Sequence, residues 1–173
     1  KQTYLPKIVD GSITTALALE EGNRHSPLSI NTEAKKDREN YSIAGDKTFV
    51  IDGHSSKLLI VAARTSGSEK DSSGITLFLI DPSANGVEVN KTSVVDSRHS
   101  ANIILKNVTV SKDDILGEEN NGAAILEEVL DRAQIAISAE MLGNASQAFA
   151  ITLEYLKERK QFGAVIGSFQ ALQ

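Results

Sequence analysis

Apolar positions in the first two thirds of the chain come in short runs, alternating with polar residues or bounded by turn signals, which is the pattern of half-buried strands. Residues 13–19, 32–36, 41–44, 47–51, 57–64, 75–80, 87–91, 101–105 and 108–110 carry it. Gly45-Asp46 predicts a turn that folds 41–44 onto 47–51 as a hairpin. A second hairpin joins 57–64 to 75–80 across a polar loop at 65–74 that contains Gly67 and Gly74, and Asp81-Pro82 stops the later strand. Short strands at this spacing, joined by short turns, predict an antiparallel β-barrel or sandwich. Ahead of them, residues 1–12 read as the end of a helical connection, interrupted by Pro6 and closed by Asp10-Gly11.

After Gly117 the period changes. Leu126, Val129, Leu130, Ala133, Ile137, Met141, Ala145, Phe149, Leu153 and Leu156 recur at threes and fours, which predicts one helix over 122–157. At ~1.5 Å per residue it is roughly 50 Å long. Glu140 is the single charge between 133 and 152, and Ile135, Ala136, Ala139 and Leu142 make the opposite face apolar as well. Such a helix belongs among helical neighbours that this chain lacks. The expected class is α+β, with a β-domain at 13–118 feeding the long helices of an incomplete bundle at 119–173. Both ends of the chain read as truncated.

Composition narrows the partners. A hydrophobic fraction of 40% in 173 residues suffices for a core. A formal charge of −5 gives no basic footprint, so nucleic acid is not an expected partner. No cysteine and three scattered histidines make poor material for a metal centre. No apolar run reaches the ~20 residues of a membrane span, and residues 1–7 show no signal-peptide core, so the expectation is a soluble, cytoplasmic protein.

The run Arg159-Lys160-Gln161-Phe162-Gly163, followed by Ile166, Phe169, Gln170 and Gln173, resembles the helix-end signature of the acyl-CoA dehydrogenase family of flavoproteins. Lys47-Thr48-Phe49-Val50-Ile51-Asp52-Gly53 resembles that family's K-x-W/F-I-T-N-G strand, and Ile115-Leu116-Gly117 its turn into the helical domain. The resemblance covers essentially the whole chain. It implies FAD as cofactor, an acyl-CoA substrate, α,β-dehydrogenation with hydride passing to the flavin, and a homo-oligomer (dimer or tetramer) with flavin at the subunit interface. It also implies electron-transfer flavoprotein as the acceptor. A second reading is a divergent, non-catalytic subunit of a mixed oligomer of the same kind.

The resemblance further assigns residues. Arg159 would reach the flavin diphosphate of a neighbouring subunit, as suits a guanidinium facing phosphate oxygens, with Gln161, Phe162, Phe169 and Gln170 helping to hold it. The bland alternative is that Arg159 complements a helix C-terminus. Backbone at Ala18, Leu19 and Glu20 and at Phe49, Val50 and Ile51 would contact the flavin. In the loop that falls on the family's T-E-P-x-x-G-S-D, the threonine is Leu19, the proline is Glu21 and the substrate-contacting serine is His25; Ile51 likewise stands for a threonine. Two side-chain hydrogen bonds worth ~1 kcal/mol each would therefore be missing. His25 reads either as an adapted substrate contact or as a solvated loop histidine without a visible partner. Adjacent strand positions face opposite ways, so Glu20 and Glu21 form no acid/base dyad and read as solvated charge. Phe49 reads as a core aromatic, a flavin-facing ring, or both. His54 and His99 carry no motif. The reaction needs a carboxylate base, and the resemblance places none in this chain: one branch's glutamate would fall at Ala133, the other's beyond Gln173. Asp131 and Glu140 are not promoted to that role.

Overall fold

Because successive side chains on a strand point to opposite faces, the segment 40–51 buries Tyr41, Ile43, Lys47 and Val50. The computed structural model describes residues 2–96 and 98–172. The elements are α1 (Leu5–Val9), β1 (Thr15–Ala18), β2 (Glu33–Asp37), β3 (Asn40–Ile51), β4 (Leu58–Arg64), β5 (Ile75–Ile80), β6 (Val87–Ser93), β7 (His99–Ser111), β8 (Ile115–Leu116), α2 (Gly122–Glu158), β9 (Lys160–Gln161) and β10 (Ala164–Val165). They form two compact units, residues 1–127 and 128–173.

In the first unit the strands run β6-β7-β3-β2-β4-β5-β8, with β1 beside β4. β2 meets β4 at a single pair, Glu33 with Arg64, so the sheet opens there into two halves. The halves face each other: Tyr41 of β3 packs on Phe78 of β5 with ring centroids 5.1 Å apart, although β2 and β4 lie between those strands in the ladder. The result is sandwich-like rather than a closed barrel. It is also mixed, not purely antiparallel, because β1 and β2 both pair with β4 in parallel. Tyr41, Ile43, Leu59, Val61, Phe78, Ala101, Ile103 and Val108 form the centre of the core, each at most 1% exposed.

Two predicted boundaries move. Gly45-Asp46 is not a hairpin turn; β3 runs straight through it and the hairpin lies before β3, at Arg38-Glu39. Gly45 is there for closeness, since a Cβ on it would stand 2.5 Å from the Thr32 hydroxyl. Residues 101–105 and 108–110 are one strand, β7, with a bulge between them where Asn107 takes a left-handed φ of 51°.

Arg64, 8% exposed, organises the loops at one end of the sandwich. Its guanidinium donates to the carbonyls of Ile30 (3.0 Å), Ser73 (2.9 Å), Glu69 (2.9 Å) and Asp71 (3.2 Å). The predicted polar loop at 65–74 is thus ordered around a buried cation that meets backbone acceptors instead of a carboxylate.

In the second unit the helix ends on a tight hairpin. Arg159 N–H donates to Tyr155 O, and Ile166 N–H returns to Arg159 O at 2.8 Å. Phe162 and Gly163 both have positive φ, 53° and 79°, the geometry of a two-residue hairpin loop. The helical face predicted to be covered is open here: Ile135, Leu142 and Phe149 are 72%, 69% and 66% exposed.

Candidate functional site

β1 leaves the sheet at Ala18, and the chain then crosses in front of β3. Three bonds lace the crossing segment to that strand: Thr48 N–H donates to Glu20 O (2.7 Å), the Thr48 hydroxyl to Gly22 O (3.1 Å), and the Lys47 ammonium to Leu19 O (3.1 Å). The two backbone stretches assigned by resemblance to the cofactor, 18–20 and 49–51, are therefore neighbours. Leu19 is buried, 5% exposed, and presents no hydroxyl.

Immediately past these bonds β3 bulges. Lys47 pairs with Ile103 and Val50 with Ala101, so one extra residue sits on β3, and Phe49 there adopts φ 51°. A bulge re-aims a side chain, and a bulky residue in left-handed backbone is an uncommon conformation that points to a functional constraint. The Asn102 side-chain oxygen accepts the Phe49 N–H at 3.2 Å and holds the bulge. Phe49 is 57% exposed, so its reading as a core aromatic fails; Val50 beside it fills the core, and Ile51 faces out again.

The Phe49 ring borders a cavity of about 560 Å³ whose wall includes Arg24, His25, Thr48, Ser100 and Asn102. Ser100 is 1% exposed and its hydroxyl makes no hydrogen bond among the described residues. A buried, unsatisfied hydroxyl at a cavity wall is suited to a polar ligand atom.

Both glutamates of the loop are engaged, which corrects their reading as solvated charge. Glu20 takes His25 Nδ1 on one oxygen at 2.6 Å and Ser26 N–H on the other at 3.0 Å, so His25 has a partner and a fixed orientation. Glu21 accepts from Asn31 N–H (2.6 Å), Thr32 N–H (2.9 Å) and the Lys47 ammonium (2.7 Å). Lys47 is wholly buried and the Glu21 side chain is 11% exposed. Burial pushes the Lys47 ammonium down to about 8 against the opposing pull of Glu21. For Glu21, burial pushes the carboxyl up, but the Lys47 charge and the hydrogen bonds from Lys47 and Thr32 outweigh it and leave the group below its ordinary value.

Lys47 as a structural cation, Ser100 and Asn102 were missed in the sequence. A signal existed for the first: Lys47 shares its strand face with Tyr41 and Ile43, so alternation alone buries it. His54 and His99, which carry no motif, meet edge to face with centroids 5.3 Å apart. Among the described residues no three histidine or carboxylate side chains come together as metal ligands.

In the second unit, the Arg159 guanidinium makes no hydrogen bond or ion pair to the described residues, and Phe162 is 94% exposed at the hairpin tip in left-handed backbone. Gln161 lies on β9, and Phe169 and Gln170 stand in the short turns that follow β10. Asp131 and Glu140 are exposed on the helix surface.

Comparison with known proteins gives a consistent answer. The profile "acyl-CoA dehydrogenase, middle domain" matches residues 16–108, and the C-terminal domain of the same family matches 120–173. A 3-(aryl)acrylate reductase of Clostridium sporogenes is 36% identical across the whole chain, which spans 47% of that relative. The crystal structure of an acyl-CoA dehydrogenase from Geobacillus kaustophilus superposes with a TM-score of 0.88 at 30% identity, covering 99% of this chain and 47% of that one. A structure titled as the FAD complex of PigA gives a TM-score of 0.89 at 26% identity, covering 99% of this chain and 45% of that one. The chain thus spans about half the length of the relatives it matches.

Proposed function

The chain belongs to the acyl-CoA dehydrogenase family, and on that premise we propose that it carries the flavin-holding part of an FAD-dependent enzyme that oxidises an acyl-CoA thioester between its α and β carbons. The carrying observation is the Phe49 bulge: an exposed ring, held in left-handed backbone beside the 18–20 segment, at the edge of a cavity of about 560 Å³. The unsatisfied Ser100 hydroxyl on the cavity wall also fits a ligand rich in polar edge atoms.

A bound flavin supplies the hydride-accepting ring that no side chain can supply. This chain's residues bind and orient. Backbone at Ala18, Leu19 and Glu20 and at Phe49, Val50 and Ile51 flanks the ring, with Phe49 offering an aromatic face. His25, held by Glu20 on the cavity wall, is the proposed contact to the thioester ligand. Arg159, with Gln161, Phe162, Phe169 and Gln170, serves the diphosphate of a flavin held by a neighbouring copy in a homo-oligomer, where an unpaired guanidinium offers bidentate donors. The burial of Leu19 and the apolar Ile51 remove two side-chain contacts, so the cofactor rests mainly on backbone and on the diphosphate. Electron-transfer flavoprotein is the proposed acceptor.

The test is the visible absorption spectrum of the purified chain after incubation with excess FAD and desalting. Retained flavin, diminished in Arg159→Ala, is the expected result. A colourless chain overturns the proposal for this polypeptide.

A further inference from the structure

Lys47 and Glu21 form an ion pair that no contact with a ligand requires. The Lys47 ammonium is 0% exposed, lies 2.7 Å from Glu21 Oε1, and donates to the Leu19 carbonyl at 3.1 Å. The Glu21 carboxylate also receives the Asn31 and Thr32 amides. One buried cation and one nearly buried anion thus join three segments: the crossing chain at 19–21, the loop at 31–32, and β3 immediately before its bulge. A pair of this kind costs desolvation and is weak evidence for stability; what it fixes well is geometry, because each oxygen and each proton has a defined direction. The geometry fixed here is the spacing between Leu19 and residues 47–48, which immediately precede the displaced Phe49.

We propose that Lys47 is a positioning residue for the flavin site, its pairing with Glu21 setting the separation of the 18–20 and 49–51 backbones between which the ring is held. This rests on the flavin reading above. The groups of opposite charge around Lys47 are Glu21, in direct contact, and Glu20, further off. Loss of the ammonium's proton removes its attraction to both and weakens the bond to Leu19 O. Because burial has already brought Lys47 down to about 8, this loss falls in an accessible range. The consequence is cofactor affinity that depends on a proton the cofactor never touches.

The experiment measures FAD affinity of the full chain by quenching of flavin fluorescence across pH, with amide hydrogen exchange over 18–22 and 48–51 recorded in parallel without FAD. The variants are Lys47→Met and the charge-free pair Lys47→Met with Glu21→Gln; the second keeps the test valid if the first fails to fold, since it leaves no buried unpaired charge. For the wild type, affinity is expected to weaken as pH rises through about 8. Both variants are expected to bind about ten-fold more weakly at neutral pH, the scale of one charge-assisted hydrogen bond, with no remaining pH dependence in that range and faster exchange at 18–22. Wild-type affinity, wild-type pH profile and unchanged exchange in a folded variant overturn the positioning role and leave the flavin reading standing. Absence of FAD binding by the wild type at every pH overturns the flavin reading, and this role with it. Altered exchange with unaltered FAD affinity also overturns it, because the staple then holds the fold alone.

Discussion

The sheet unit and the long helix use similar apolar residues to opposite ends. Within the first unit Tyr41, Ile43, Leu59 and Phe78 are at most 1% exposed, and even its charged residues Lys47 and Arg64 are drawn inside with partners. In the helix beyond residue 127, Ile135, Leu142 and Phe149 stay largely in solvent. Equal hydrophobicity therefore does not mean equal stabilisation, because the gain scales with area removed from water rather than with residue type. The stability of this chain resides in the sandwich. The candidate site follows the same division, with a laced cavity in the first unit and an exposed, unpaired Arg159 in the second.

The widest separation comes from matched truncations. Phe78→Ala empties a core position and is expected to cost about 3–5 kcal/mol in denaturant unfolding of the chain. Phe149→Ala, made at a position 66% exposed, is expected to stay within about 0.5 kcal/mol. Comparable losses at the two positions would show the helix to be buried in solution and erase the contrast.

The buried charges sharpen it further through pH. Glu21 is held below its ordinary value, so its contribution is present above about 4.5 and is lost as pH falls through its folded value. Lys47 runs the other way: with a folded value of about 8 against 10.5, the unfolded chain binds more protons in that window, and this group's contribution to stability rises with pH across it. Unfolding midpoints measured against pH should show an acid decline that shrinks in Glu21→Gln and an alkaline rise that disappears in Lys47→Met. A profile identical in all three chains would separate the pair from the stability of the sandwich.

The smallest effect concerns the bulge. Asn102→Ala removes the acceptor for Phe49 N–H, and at an exposed bond about 0.5–1 kcal/mol is expected. The informative readout is local: amide exchange at Phe49 should accelerate while that of Tyr41 stays slow. Equal acceleration at both would mean that the bulge is not independently held.

These contrasts also mark what was legible in the chain. Short apolar runs marked strands at 41–44 and 75–80, and the spacing of threes and fours gave the helix nearly to its last residue, since both signals are local. Gly45-Asp46 has the chemistry of a turn, and only its approach to Thr32, which is distant in sequence, shows why glycine is needed in a continuous strand. Glu20 and Glu21 share no hydrogen-bond partner among the described residues. That each finds a partner, His25 for Glu20 and Lys47 for Glu21, depends on loop closure that adjacent residues do not encode. Of the residues assigned by resemblance, the 18–20 and 49–51 stretches are adjacent. The Phe49 ring points outward because of a bulge whose register is set by β7.

Arg64 offers a last consequence, about how this part of the molecule tolerates change. It grips the 65–74 loop through main-chain oxygens alone, at Glu69, Asp71 and Ser73. Carbonyl oxygens are the same whichever residue bears them. The guanidinium's own bonds therefore do not read the side chains at those three positions, although Asp71 and Glu69 also hold the loop by accepting from Ser68 N–H and the Ser29 hydroxyl. One residue added or removed between Ser66 and Gly74, by contrast, shifts every acceptor out of register with a planar guanidinium, so the loop is strict in length.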